Sequence, residues 1–447
     1  MKKPSPSGTA GASEAGRVAV ASAIGTAIEW YDFFIYGTAA AVVFGPQFFP
    51  QVSRLAGTMA AFATFAVGFV ARPLGGIVMG HYGDRLGRKS VLVWCLTLMG
   101  GATFAIGLLP NYATLGVWAP VLLVAFRFIQ GFALGGEWGG AVLMSVEHAP
   151  QGRRGLFGSF VALGLPAGII LSNLVFLIAS ALVTPEQFAG WAWRIPFLAS
   201  AVLVGIGLFV RLGLAESPVF ADVLRTQATR RMPVVDVLRT DARTVLLAAG
   251  SYLSVSALGY LVIVYFVSYA TRELHFRLTT TLALLLTAAV VFAASILSFA
   301  IWSDQFGRRR IMRWGCGGLV VWSLVFFPLV DTKSIPLAAL AVCGMLLIQG
   351  AYIGPQAAVF SELFPTVVRY SGASLSLTLG TIFGGAIAPF IATALFSATG
   401  NSWLVTTYAT ALSFISWLCV LGLTETSQRD LASPSPRSEP RAPTRSL

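Results

Sequence analysis

The sequence predicts an all-α polytopic membrane protein: twelve transmembrane helices in two pseudo-symmetric six-helix bundles. Three observations carry that prediction. Apolar runs of bilayer length recur along the 447 residues, a short charged loop recurs 220 positions after its first copy, and lysine and arginine fall almost entirely in alternate loops.

A helix crossing the hydrocarbon core needs about 20 predominantly apolar residues. Such runs lie roughly at 18–45, 55–80, 90–109, 117–147, 156–182 and 193–213, then at 244–271, 280–303, 311–330, 335–363, 370–397 and 404–424. Composition agrees, with 56% hydrophobic and 11% charged residues and a mean hydropathy of +0.78. A soluble domain carries about 25% charge. The 46 glycines suit helices that pack in lipid, where small residues let backbones approach. Residues 1–17 read as a cytoplasmic tail, because the first apolar segment is too long and too acidic for a cleaved signal. The N-terminal bundle is expected over 18–213 and the C-terminal bundle over 244–424. Between them, 214–243 holds Pro218, Pro233 and five arginines (Arg225, Arg230, Arg231, Arg239, Arg243) and reads as a central cytoplasmic loop. The Ser/Pro/Arg-rich 425–447 reads as a disordered cytoplasmic tail.

The net charge of +12 raises nucleic acid as a partner, but the basic residues sit in short loops between apolar runs. With the N-terminus inside, the cytoplasmic segments hold 23 Lys/Arg and the external loops five: Arg54, Arg194, Arg272, Arg277 and Lys333. That asymmetry places both termini in the cytoplasm. Arg72 and Arg127 remain, both inside spans. Cys95, Cys316, Cys343 and Cys419 all fall in apolar runs without CxxC or metal-ligand spacing, so they read as small core hydrophobes. No metal or cofactor site is expected.

The two halves echo one another. Gly80-His-Tyr-Gly-Asp84-Arg85-Leu-Gly87-Arg88-Lys89 follows the second run, and Ser303-Asp304-Gln-Phe-Gly307-Arg308-Arg309-Arg310 follows the eighth. Glu147-His-Ala-Pro150 ends the fourth, and Glu362-Leu-Phe-Pro365 ends the tenth. Parallel six-helix repeats of this kind enclose a mid-membrane site between them. Further segments are Glu29-Trp30-Tyr31-Asp32-Phe33, Arg72-Pro73-Leu74-Gly75, Arg127-Phe-Ile-Gln130-Gly131, Gly135-Gly136-Glu137-Trp138-Gly139 and Glu216-Ser217-Pro218. Together these motifs resemble the metabolite:proton symporter branch of the major facilitator superfamily over essentially all of 18–424. Members of that branch carry shikimate, dicarboxylates, 2-oxoglutarate, citrate, proline or betaine. The resemblance implies a bacterial inner-membrane carrier, working as a monomer on a small-molecule substrate and a proton. One departure is Ala300, where the second loop pattern has glycine, which suggests looser packing there.

An ionisable group at the bilayer centre costs about 2.5–3.5 kcal/mol on insertion scales, so it marks function by default. Glu29, Asp32, Arg72, Arg127 and Glu137 are such groups, all on helices 1, 2 and 4. Gly25, Glu29, Asp32 and Tyr36 form one helical stripe, and Arg127, Gln130, Leu134 and Glu137 another. A guanidinium neighbour favours the charged form of an acid and desolvation favours the neutral form, so an acid moved between the two can carry a proton. Asp32 paired with Arg127 is the first candidate for coupling and Glu29 the second. Arg72, before Pro73 in a helix expected to open there, suits a substrate carboxylate as a bidentate fork. Glu137, Gln130 and Trp138 on helix 4 are further substrate-binding candidates. So are Tyr252 and Tyr260 on helix 7, and Gln349, Tyr352 and Gln356 around a Gly354-Pro355 interruption of helix 10. Tyr265 and Tyr269 read as an interfacial belt.

The loops are the candidate gates. In the superfamily that this chain resembles, the first loop's aspartate faces the cytoplasmic N-terminus of helix 11, which implies that role for Asp84, and a carboxylate is favourable at a helix N-terminus. Arg88 and Lys89 can bridge to Glu147; by pseudo-symmetry Asp304 would face the start of helix 5 with Glu362 nearby. Gly80, Arg85, Gly87, Gly307, Arg308, Arg309 and Arg369 complete this set. No phosphate-binding GxxxxGK[ST], catalytic triad or metal cluster occurs, which excludes an ATP-driven pump or an enzyme. The reading is therefore a secondary active importer by proton symport. A proton-coupled exporter of the same fold is the alternative, loosely suggested by Gly164-Leu-Pro166-Ala-Gly168, and a solute channel is a more distant one.

Overall fold

The computed structural model describes residues 8–86, 88–135, 153–212, 237, 239–365 and 369–427. Among the described residues every expected span is helical. The helices are α1 (Gly8–Ala39), α2 (Arg54–Leu86), α3 (Arg88–Leu108), α4 (Trp118–Leu134), α5 (Arg154–Leu182) and α6 (Ala192–Phe209). They continue with α7 (Ala242–Arg272), α8 (Leu278–Phe306), α9 (Arg308–Asp331), α10 (Ile335–Leu363), α11 (Ser371–Thr399) and α12 (Trp403–Gly422). Among the described residues nine of these are, by length and composition, long and apolar enough to cross a membrane, and shorter apolar stretches run over Val93–Leu108 and Trp118–Leu134. There is no strand among the described residues, as expected where backbone groups must be satisfied without water. The expected fourth span beyond residue 135 and most of 214–243 lie outside the described residues.

Helix pairing repeats with a period of six. α1 packs on α5, α2 on α4, and α3 on α4 and α6; correspondingly α7 packs on α11, α8 on α10, and α9 on α10 and α12. The contacts between the two sets follow the same rule, α5 against α8 and α2 against α11. The sequence repeat is therefore a repeat of packing. α7 sits deepest, with 89% of its most apolar window buried. Consequently Tyr265 and Tyr269 are not an interfacial belt. Both are buried and stacked at 5.8 Å between ring centroids, and the Tyr269 hydroxyl donates to Asp331 Oδ1 at 2.6 Å.

Glycine sets the closest approaches. A methyl group on Gly131 of α4 would lie 1.9 Å from the Gly68 carbonyl oxygen of α2, and one on Gly135 would lie 2.0 Å from the Arg72 carbonyl oxygen. In the second half Gly350 and Gly354 of α10 press on Ser295 and Ile296 of α8 in the same way. Ala300 is not loosely packed, contrary to expectation. It is fully buried because its neighbours Gly155 and Gly354 supply the missing space, with a methyl on Gly354 reaching 2.8 Å from the Ala300 nitrogen.

The prolines do not open the helices as the sequence suggested. α2 runs unbroken through Pro73 and α10 through Pro355. Close packing on α4 and α8 holds these turns, and an opened turn facing lipid would strand its carbonyls. The irregularities are instead π-turns: Ala40–Phe44 extending α1, Leu261–Tyr265 within α7 and Thr381–Ala386 within α11. Those of α1 and α7 start 221 positions apart, so they occupy equivalent places in the two halves. Such turns concentrate at functional sites.

The α8–α9 turn is clasped from the C-terminal side. Gly307 there has φ +96°, open only to glycine without strain. Glu425, just past α12, accepts from the backbone N–H of Arg308 and of Arg309, each at 3.1 Å, at the start of α9. The Arg309 side chain reaches back to the Leu421 and Val420 carbonyls at the end of α12. Burial pushes the Glu425 carboxyl up, but hydrogen bonds from the Ser427, Thr426, Arg308 and Arg309 N–H groups outweigh it and hold the group below the usual carboxylate range.

Two outcomes follow from this packing. Gly131→Ala should cut the yield of monodisperse protein in detergent sharply, since the obstacle is a backbone carbonyl, whereas Gly101→Ala, with nothing within 4 Å, should be neutral. Glu425→Gln should lower stability at neutral pH by about 1 kcal/mol, a value discounted for partial exposure. Because the folded carboxyl is depressed, this contribution is present above the unfolded carboxylate range and is lost as pH falls through the folded value. Melting curves of the two proteins should thus converge at acid pH; a constant difference would contradict the assignment.

Candidate functional site

Charge is gathered where α1, α2 and α4 meet. Glu29 and Asp32 of α1 are buried, and Arg127 of α4 is fully buried. Arg72 of α2 is half-buried, and its Nε and Nη2 are enclosed with no hydrogen-bond partner. The Arg127 guanidinium lies over the rings of Phe33, Tyr36 and Phe65 at 4.0, 4.2 and 4.8 Å. Arg72 lies over Phe33 and Phe69 at 4.8 and 4.7 Å. Ring faces stand in for part of the lost water by cation–π attraction. Gly68 makes the room, since a methyl there would lie 2.7 Å from Arg127 Nε.

Asp32 and Arg127 do not form the direct pair that their helical positions suggested. A three-bond chain joins them. Arg127 Nη1 donates to Gln130 Oε1 at 3.2 Å, Gln130 Nε2 donates to Thr103 Oγ1 at 2.7 Å, and Thr103 Oγ1 lies 3.0 Å from Asp32 Oδ2. Asp32 Oδ1 and Arg127 Nη2 are left without partners. Thr103 of α3 stands between the acid and the amide, which is why the direct pair is absent. Sequence reasoning missed it, because one threonine in an apolar run carries no signal. Tyr36 continues the α1 stripe and donates to Thr64 Oγ1 at 2.7 Å. Glu137 and Trp138 lie outside the described residues.

The residues from α7 and α10 divide in two. Tyr252, Tyr260 and Gln349 line a cavity of about 30 Å³ together with Trp30, Phe34, Ser256 and Phe292. Tyr260 also packs on Phe33, Phe65 and Phe69, so it separates this cavity from the two guanidinium groups. Tyr352 lies behind Tyr252, stacked at 6.0 Å and hydrogen-bonded to Ser251 at 2.7 Å. Gln356 is buried on α10 with its Nε2 unpartnered and does not line the cavity. Space for one or two waters is far below the several hundred Å³ of a ligand pocket, so a metabolite fits only after the helices separate.

Polar contacts join the two halves at both ends of the helices. At one end Asp304 of α8 accepts from the Gly155 and Leu156 N–H groups at the start of α5, at 2.9 and 3.1 Å. Glu362 of α10 pairs with Arg308 at 2.8 Å and with Arg154 at 3.7 Å, and Arg308 also approaches Asp304 at 3.5 Å. Arg369, two residues before α11, is also buried. At the other end Arg272 of α7 donates to the Ala41 carbonyl oxygen at 3.0 Å and to Thr58 Oγ1. The first loop cannot be compared with the second, since Gly87, Glu147 and the side chains at Gly80, Asp84, Arg85, Arg88 and Lys89 lie outside the described residues.

Known proteins agree with this architecture. Residues 22–378 match the Major Facilitator Superfamily. The inner membrane metabolite transport protein YhjE of Escherichia coli K12 is 43% identical over 414 residues, covering 91% of this chain and 92% of that one. The shikimate transporter of the same strain is 40% identical over 433 residues, covering 94% and 97%. Among solved structures, the xylose transporter XylE from E. coli in a partially occluded inward-open conformation superimposes with a TM-score of 0.73 at 17% identity, covering 94% of this chain and all of that one. Its likeness concerns the fold alone. With the fold, the six-helix period of the packing and full-length relatives in agreement, the chain belongs to the Major Facilitator Superfamily.

Proposed function

We propose that this metabolite transporter is a proton symporter that imports a small organic acid or zwitterion across the inner membrane by alternating access, as a monomer with both termini in the cytoplasm. One observation carries the reading: an acid, Asp32, is tied through neutral hydrogen-bonding groups to a buried guanidinium that keeps an unpaired N–H. Such an arrangement can exist with the acid charged or neutral, which a static ion pair cannot. Arg72 supplies the second part, an enclosed fork with two nitrogens unpartnered, suited to a carboxylate. The shikimate transporter among the relatives makes a carboxylate of that kind the first substrate to try.

In this mechanism Asp32 takes a proton while the cavity faces outward, with Glu29 one turn away as the second acid. Substrate enters as Tyr260 and the π-turns of α1 and α7 yield. The clasp of Arg272 then closes the outer end, and the cluster of Asp304, Arg308, Arg154 and Glu362 opens the cytoplasmic end. By the pseudo-symmetry of the packing, the Asp84 loop plays the matching part against α11.

Asp32→Asn imitates a permanently protonated acid, and Glu29→Gln does the same for its neighbour. On purified protein in proteoliposomes, counterflow exchange should persist while gradient-driven uptake falls to simple equilibration, because the return of the empty, deprotonated carrier is blocked. A purely structural acid would instead lose folded yield and exchange together, since its removal leaves Arg127 uncompensated. Full gradient-driven uptake in both variants would remove α1 from the coupling mechanism and leave Glu137 as the remaining acid.

A further inference from the structure

We propose that Thr103 is the positioning residue through which protonation of Asp32 is passed to Arg127, a step that rests on the reading of Asp32 as the proton site. The Thr103 hydroxyl is fully buried and has three partners: Asp32 Oδ2 at 3.0 Å, the Met99 carbonyl oxygen at 2.9 Å and Gln130 Nε2 at 2.7 Å. A hydroxyl offers one hydrogen and two lone pairs. The orientation of the Gln130 amide is fixed by chemistry, because arginine only donates, so the oxygen must face Arg127 and the nitrogen must face Thr103. One lone pair of Thr103 is therefore always taken by Gln130. The remaining lone pair and the hydrogen are shared between Asp32 and Met99.

Two arrangements satisfy this geometry. With Asp32 charged, the acid can only accept, so the hydroxyl hydrogen points to it. With Asp32 protonated on Oδ2, the acid donates to the free lone pair and the hydroxyl hydrogen turns to Met99. Taking up a proton thus reverses the hydroxyl and changes its oxygen from accepting one hydrogen bond to accepting two. Successive bonds in such a chain polarise one another, so the change reaches the Gln130 amide and its grip on Arg127 Nη1. Among the described residues, Arg127 is otherwise held by the Phe65 carbonyl oxygen at 3.4 Å and by the rings of Phe33, Tyr36 and Phe65. Among the described residues the titratable and charged groups that face Asp32 are Glu29, Tyr31 and Arg127; Arg72, Tyr36 and Tyr260 surround Arg127, and Glu137 lies outside the described residues.

Infrared difference spectroscopy of the purified full-length chain tests this with the proton as the only probe. The carbonyl band of protonated Asp32 is the one that disappears in Asp32→Asn, and isotope-labelled arginine marks the guanidinium bands that change with it. Thr103→Val keeps the packing and removes the hydroxyl. It should move the Asp32 band to higher frequency, since the acid has lost its acceptor, and abolish the arginine response; Thr103→Ser should keep both. An unchanged band and arginine response in Thr103→Val would overturn the proposal while leaving Asp32 as the proton site. Absence of any band that vanishes in Asp32→Asn would overturn both. If Thr103→Val does not fold, Gln130→Met cuts the next link. It should leave the Asp32 band in place but silence the arginine response, and a surviving response would again overturn the relay.

Discussion

A charge in the middle of a membrane has to be surrounded by the protein's own dipoles, rings and counter-charges, and the first half of this molecule is arranged around that need. Arg127 is the clearest case. Its guanidinium is accommodated because Gly68 and Gly131 bring α2 and α4 close together, because three aromatic rings face it, and because Gln130 and Phe65 accept its hydrogens. Each of these depends on the others. A bulkier residue at Gly131 separates the helices, and the rings lose their position over the cation.

The second half repeats the packing without repeating the mid-helix charge: among the described residues its buried Arg308, Glu362 and Arg369 lie at helix ends. Gly350 and Gly354 join α8 to α10 as Gly131 and Gly135 join α2 to α4, but the facing groups are Gln349, Gln356 and tyrosines. Among the described residues the first half buries Glu29, Asp32 and Arg127 within its helices, whereas the groups that the second half brings to the cavity, Tyr252, Tyr260 and Gln349, are neutral. α7, with its π-turn and Tyr260, is the most buried helix of the second half.

Much of this was legible in the sequence, for reasons that are physical. Bilayer thickness fixes helix length, so most spans could be read from apolar runs, although α1 begins at Gly8 rather than at 18, α2 runs on to Leu86, and the end of the expected fourth span lies outside the described residues. The rarity of charge in lipid singled out Asp32, Arg72 and Arg127 directly. What hydropathy does not encode is which neighbour a side chain meets. Tyr265 and Tyr269 looked interfacial because nothing in the run shows that α7 is central. Pro73 and Pro355 looked like openings because the run does not show which helix packs there: α4, through Gly135, against the Pro73 turn, and α8 against Gly350 and Gly354 beside Pro355. Thr103 had no signature, since its importance comes only from the two groups that converge on it.

The central claim is that solute movement is tied to the proton. Purified protein in proteoliposomes, given labelled organic acids beginning with shikimate, should accumulate substrate when the outside is made acidic. Adding an uncoupler should release that accumulation while leaving exchange of labelled for unlabelled substrate intact. The voltage term alone is about 2.3 kcal/mol per charge per 100 mV, so both gradients must be collapsed together. Accumulation that survives the loss of both, or acid outside that drives efflux of substrate, would contradict proton symport.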